Sequence, residues 1–119
     1  MNIAERQSAL AQKSVFISCV IPVFNEEAVV TAFIEQLQAK LVTLAERYEI
    51  IIVDDGSRDY TVECVRRLAE RSPTVKLLGL SRNFGKEIAL TAGLEHCSGD
   101  VAILLDADFQ HPIDMLAVF

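Results

Sequence analysis

Apolar and polar positions along the chain change period several times. Residues 15–23, VFISCVIPV, are almost continuously apolar and β-rich, which predicts a strand. In the stretch that follows, NEEAVVTAFIEQLQAKLVTLAERYE, Val30, Phe33, Ile34, Leu37, Leu41 and Leu44 recur at helical spacing with polar residues between them. The pattern then repeats. EIIIVDD at 49–55 is an apolar strand, and Val62, Val65, Leu68 and Ala69 mark one face of a helix that stops before Pro73. VKLLGL at 75–80 predicts a third strand. Residues 85–97 predict a third helix carrying Ile88, Leu90 and Leu94 beside the small residues Ala89, Ala92 and Gly93, and VAILL at 101–105 reads as a fourth, fully buried strand.

Strands alternating with helices, each strand a near-continuous apolar run, are the signature of a mostly parallel sheet joined by right-handed crossovers and covered by helices on both faces. The expected class is therefore α/β. In such sheets ligands bind outside the carboxyl ends of the strands. Asn25, Glu26, Asp54, Asp55, Asp106 and Asp108 all fall at those ends, so acids cluster where a ligand is expected.

Composition sharpens this picture. A chain of 119 residues, 51% of them hydrophobic, has enough apolar material for the core of one domain or part of one. A net charge of −6 repels nucleic acid backbones, so nucleic acid is not an expected partner, and a phosphate ligand would need local cancellation of negative charge, which a divalent cation supplies. Cys19, Cys64 and Cys97 are widely spaced, odd in number and free of CxxC pairing, which fits a reducing compartment. No continuous apolar segment opens the chain, and none approaches the roughly 18–20 residues of a membrane span, so this chain is expected to be soluble and cytoplasmic.

Asp106 and Asp108 stand at i and i+2 in DADF, on the same side of an extended chain and roughly 7 Å apart. Their oxygens can approach one Mg²⁺ or Mn²⁺, with Gln110 adding a neutral oxygen. The plainer alternative is two acids in a solvated loop, one capping a short helix near Pro112. In VDDGS a strand-end carboxylate can accept from a nucleobase imino group, or the segment can be only a turn, with Asp59 as N-cap of the next helix. Glu26 and Glu27 can be site residues or simply suit the positive end of the first helix. GxGxxG and P-loop glycine patterns are absent from the first strand–helix turn. Arg82 and Lys86 in SRNFGKE can serve a phosphate or an acceptor, or can be surface charges on a turn. His96 at a helix C-terminus needs no catalytic role, and His111 follows Gln110.

Taken in order, VIPVFNEE, IIIVDDGSRDYT, SRNFGKEIALTAGL and LLDADFQHP resemble the motifs of the inverting family 2 glycosyltransferases of GT-A fold. The likeness is closest to the polyprenyl-phosphate sugar transferases, the dolichyl-phosphate mannose synthase and bactoprenol glucosyltransferase group, and it covers nearly all of residues 15–119. It implies that Pro22, Phe24 and Glu26 line the nucleotide, with Phe24 standing where many relatives have Tyr, and that Val53 and Asp55 contact the base. It implies that Asp106, Ala107 and Asp108 serve the diphosphate and metal, with Gln110 as a third metal-side ligand. The implied reaction moves a hexosyl group from a nucleotide sugar, UDP-linked by preference, to polyprenyl phosphate. For the complete protein the implied location is the cytoplasmic side of the bacterial inner membrane.

Relatives in that group continue well past the DxD motif. Residues 1–14 are thus expected to be an N-terminal extension and residues 15–119 the nucleotide-sugar-binding part of a GT-A domain, inactive alone, its membrane contact made by parts absent from this chain. An apolar sheet edge left without its partner makes a homo-oligomer an expected outcome. Two alternatives of other classes are a phospho-accepting receiver domain, also α/β and built on acids with Mg²⁺, and a non-catalytic nucleotide-binding module.

Overall fold

A computed structural model describes residues 15–107 together with Ile3. The order is β1 (Phe16–Val23), α1 (Val30–Leu44), β2 (Arg47–Asp54), α2 (Thr61–Arg71), β3 (Val75–Gly79), α3 (Lys86–Glu95) and β4 (Val101–Leu104). All four strands are parallel, in the spatial order β3-β2-β1-β4.

This order explains the layering. The first two crossovers step in one direction, and α1 and α2 share one face, where Phe33, Ile34, Leu37, Leu41, Val65 and Leu68 pack on Cys19, Ile21, Ile50 and Ile52. The third crossover returns past β2 and β1 to the far edge, and α3 covers the opposite face through Ala89 on Val20, Ile51 and Val53. Strand side chains alternate between the two cores, as a pleated sheet covered on both sides requires.

Several local expectations change. The first helix begins at Val30, so Glu26 and Glu27 lie outside its first turn; the Glu26 carbonyl instead accepts the Val29 and Val30 N–H groups at 3.0 and 2.9 Å. The second strand begins at Arg47, two residues early, because α1 ends at Leu44. α3 buries Ala89 and Gly93, leaving Ile88 and Leu94 exposed. Close approach is the reason: a Cβ on Gly93 would fall 2.9 Å from Val53 Cγ2 and against Val20. The fourth strand is not fully buried, since Val101 and Leu104 are 47% and 48% exposed. It pairs only with β1 among the described residues, so one side of it is a sheet edge. Among those residues no helix is long and apolar enough to cross a membrane. Residues 1–14 other than Ile3, and 108–119 with Asp108, Gln110, His111 and the short helix near Pro112, lie outside the described residues.

Candidate donor-binding site

Strand order reverses between β1 and β4, and their carboxyl ends frame a cavity of about 250 Å³. Such a switch point is where open α/β sheets take their ligands. Pro22, Phe24 and Glu26 line it from the end of β1, Asp55 from the end of β2, Asp106 and Ala107 from beyond β4, and Lys86 from the start of α3. Six positions singled out for nucleotide contact therefore meet in one place. Val53 does not: its side chain is buried against Ala89, facing the helix and not the cavity.

Each wall is built by loop chemistry. Asn25 adopts φ 52°, a left-handed conformation that asparagine tolerates better than most residues. Its Oδ1 accepts the Arg58 N–H at 2.9 Å, and its own N–H donates to Ser57 Oγ at 2.9 Å. The Glu26 N–H donates to Thr61 Oγ1 at 2.8 Å. Asp59 accepts from the Thr61 N–H and hydroxyl and, more weakly, from the Glu27 N–H at 3.3 Å. It thereby caps α2 in its hydrogen bonds, although Tyr60 is the residue at the helix boundary. Partial burial would raise the Asp59 carboxyl, and these hydrogen bonds outweigh it, holding the group below its ordinary value. The loops after β1 and β2 are thus laced into one unit. Asn25 stands among the strand-end residues noted in the sequence, whereas Ser57 and Thr61 carry no sequence signal of their part in this loop network.

Asp55 is buried, and its two carboxylate oxygens accept the Phe84 and Gly85 N–H groups at 2.8 and 3.0 Å. It fastens the loop between β3 and α3 to the site. Gly56, at φ 81°, permits the same contact: a Cβ there would lie 2.6 Å from Arg82 C and Asn83 N. Asp54 is buried too. Its Oδ2 accepts the Ser57 N–H at 3.1 Å, while Oδ1 has no hydrogen-bond partner among the described residues. Asp54 borders a second cavity of about 530 Å³, shared with Phe24, Arg58 and Arg82. Arg82 and Lys86, the two basic residues noted in SRNFGKE, therefore line different cavities. Arg82 lies over the Phe84 ring, 4.8 Å from its centre, whereas Lys86 reaches Asp106 Oδ1 at 2.5 Å.

Asp106 offers a hard carboxylate oxygen donor on the cavity wall, the kind of ligand Mg²⁺ and Mn²⁺ take. No group of three or more His, Cys, Asp or Glu within metal-holding reach occurs among the described residues, and Asp108 and Gln110 lie outside them.

The parallel sheet with helices on both faces is of GT-A type, the architecture of the solved glycosyltransferases it resembles. Residues 18–119 match the profile of glycosyl transferase family 2, and the chain belongs to that family. Over 99 residues it is 46% identical to the undecaprenyl-phosphate 4-deoxy-4-formamido-L-arabinose transferase of Pseudomonas syringae, covering 82% of this chain and 29% of that protein. The mannosyltransferase of Pyrobaculum calidifontis, solved with GDP-mannose and Mn²⁺, is 30% identical, with a TM-score of 0.68 over 85% of this chain and 30% of that one. Glucosyl-3-phosphoglycerate synthase of Mycobacterium tuberculosis, solved with Mn²⁺, UDP and phosphoglyceric acid, is 26% identical, with a TM-score of 0.67 over 90% and 37%. The chain thus spans about 30% of the length of the curated relatives it matches. Family membership sets the receiver alternative aside, and so does topology, because receiver sheets run 2-1-3-4-5 while this one runs 3-2-1-4.

Proposed function

We propose that this chain is the donor-binding part of an inverting, metal-dependent glycosyltransferase that moves a hexosyl group from a nucleotide sugar to polyprenyl phosphate. The single cavity shared by Pro22, Phe24, Glu26, Asp55, Asp106 and Ala107 is the observation that carries the reading. UDP-hexose is the favoured donor. The polyprenyl acceptor is supported by the relative that bears undecaprenyl phosphate in its name. Action at the cytoplasmic side of the bacterial inner membrane, membrane contact through other parts of the protein, and self-association belong to the same proposal.

In this reading Phe24 and Glu26 flank the nucleotide, and Asp55 sets the base wall, directly or by holding the Phe84–Gly85 backbone. Asp106, with Asp108 and Gln110, would hold the divalent cation. That cation, when bound, supplies charge neutralisation and Lewis-acid help to the departing diphosphate. The acceptor phosphate has a second pKa of about 6 and is anionic near neutral pH, so the chain needs no strong general base. Without acceptor-binding elements, this chain alone is expected to bind donor and not turn it over.

The test is calorimetric titration of the chain with UDP and with GDP, each with and without Mn²⁺, and Asp108→Asn as the control. Metal-dependent UDP binding, lost in the variant, is the expected result. Absence of binding to either nucleotide by a chain whose circular dichroism shows it folded would overturn the reading.

A further inference from the structure

The carboxylates of the switch-point cavity differ in what already occupies them. Asp55 is filled by two backbone amides, whereas Asp106 holds the Lys86 ammonium. Lys86 opens α3 directly after Gly85. Its side chain is 57% exposed against 23% for Asp106, so the ammonium enters from the solvent side and can leave without disturbing a core residue. A half-exposed pair of this kind adds little to stability, and holding the fold does not explain it. What it does is charge balance: Lys86 is the only cation among the described residues that line this cavity, which also presents Glu26 and Asp55.

Resting on the metal reading given above, we propose that Lys86 is a resident counter-cation of the donor site. It neutralises Asp106 when no divalent cation is bound and competes with that cation for the carboxylate. Once displaced, it turns to an anionic oxygen of the donor's diphosphate. An ammonium and a divalent cation at one carboxylate repel each other, so each weakens the other's hold on it. Lysine suits the exchange because its charge sits as a point on a flexible four-carbon stem, able to swing within the cavity mouth. The site then keeps near-constant charge through loading, and Lys86 acts as a positioning residue for the donor.

Removing the ammonium should therefore move two affinities in opposite directions. Mn²⁺ alone is titrated into the wild-type chain, Lys86→Met and Asp106→Asn by calorimetry and by the paramagnetic resonance of free Mn²⁺; UDP is then titrated at saturating Mn²⁺. Lys86→Met should bind Mn²⁺ on the order of fivefold more tightly, the worth of a half-exposed ion pair. It should bind UDP on the order of tenfold more weakly, the loss of one charged hydrogen bond. Equal Mn²⁺ affinity in the wild type and Lys86→Met, with binding lost in Asp106→Asn, overturns the counter-cation role and leaves the metal reading standing. Unchanged UDP affinity overturns the transfer to diphosphate. Failure of all three proteins to bind Mn²⁺, or full binding by Asp106→Asn, overturns the metal reading and this proposal together.

Discussion

Both ends of the sheet bury carboxylates, and they treat them differently. At the amino end, Glu49 accepts from Ser18 Oγ at 2.6 Å, from Lys76 Nζ at 2.7 Å and from the Ser98 N–H at 2.7 Å. Ser18 Oγ accepts in turn from the Gly99 N–H at 2.8 Å, so three strands and the turn into β4 close on one acid. At the carboxyl end, among the described residues, Asp54 keeps an oxygen without a partner and Asp106 pairs with one half-exposed lysine. A carboxylate whose lone pairs are filled by the protein has little left for a ligand. The amino end is therefore a clasp, whereas at the carboxyl end, the candidate site, only Asp55 is filled by backbone amides.

Breaking the clasp should have the largest effect. Glu49→Ala strands the Ser98 N–H and the Ser18 hydroxyl, while Lys76 escapes to water, so a loss of about 2–3 kcal/mol is expected in urea denaturation. Gly56→Ala should come next, at about 2 kcal/mol, from left-handed strain and collision with the backbone at Arg82–Asn83. It should also spoil nucleotide binding, which Glu49→Ala should touch less in whatever fraction remains folded. Asp55→Ala frees the Phe84–Gly85 backbone at a cost of about 1–2 kcal/mol, and should abolish UDP binding. Asp54→Asn should be the mildest, below about 1 kcal/mol, because the amide oxygen can keep the Ser57 contact. An Asp54→Asn loss equal to that of Glu49→Ala would erase the distinction between the two ends.

Acid sharpens the same comparison. Burial alone would raise the Glu49 carboxyl, but hydrogen bonds from Lys76, Ser18 and Ser98, with the Lys76 charge, hold it below its ordinary 4.5. A depressed folded value means that its stabilisation is present above pH 4.5 and fades as pH falls through the folded value. Unfolding curves from pH 6 to pH 3 should show that loss in the wild type, and a smaller one in Glu49→Gln.

The helical spacing of α1 and the apolar runs of β1 and β2 were legible because a buried face imposes its period directly on the sequence. In α3 the large apolar residues Ile88 and Leu94 do not mark the buried face, because closeness to Val20 and Val53 selects small residues, and smallness leaves no hydrophobic signal. β4 looked buried because its composition reports what a strand can bury, while its place at an edge depends on which neighbours it has. The site was half legible. Strand-end acids stood out at 54, 55, 106 and 108, but nothing in VDDGS distinguishes the acid that clamps a loop from the acid with an unpartnered oxygen.

The sequence by itself determined the alternation of strand and helix, the parallel α/β class and the family, since periodicity and ordered motifs are local properties that survive without coordinates. Tertiary structure alone decided that β4 lies beside β1, that α3 crosses to the other face, and that Lys86 meets Asp106 while Arg82 lies over Phe84. Those facts join residues up to 84 positions apart, such as Phe16 and Asp100, and a pairing across that distance is fixed by packing and hydrogen-bond completion in three dimensions.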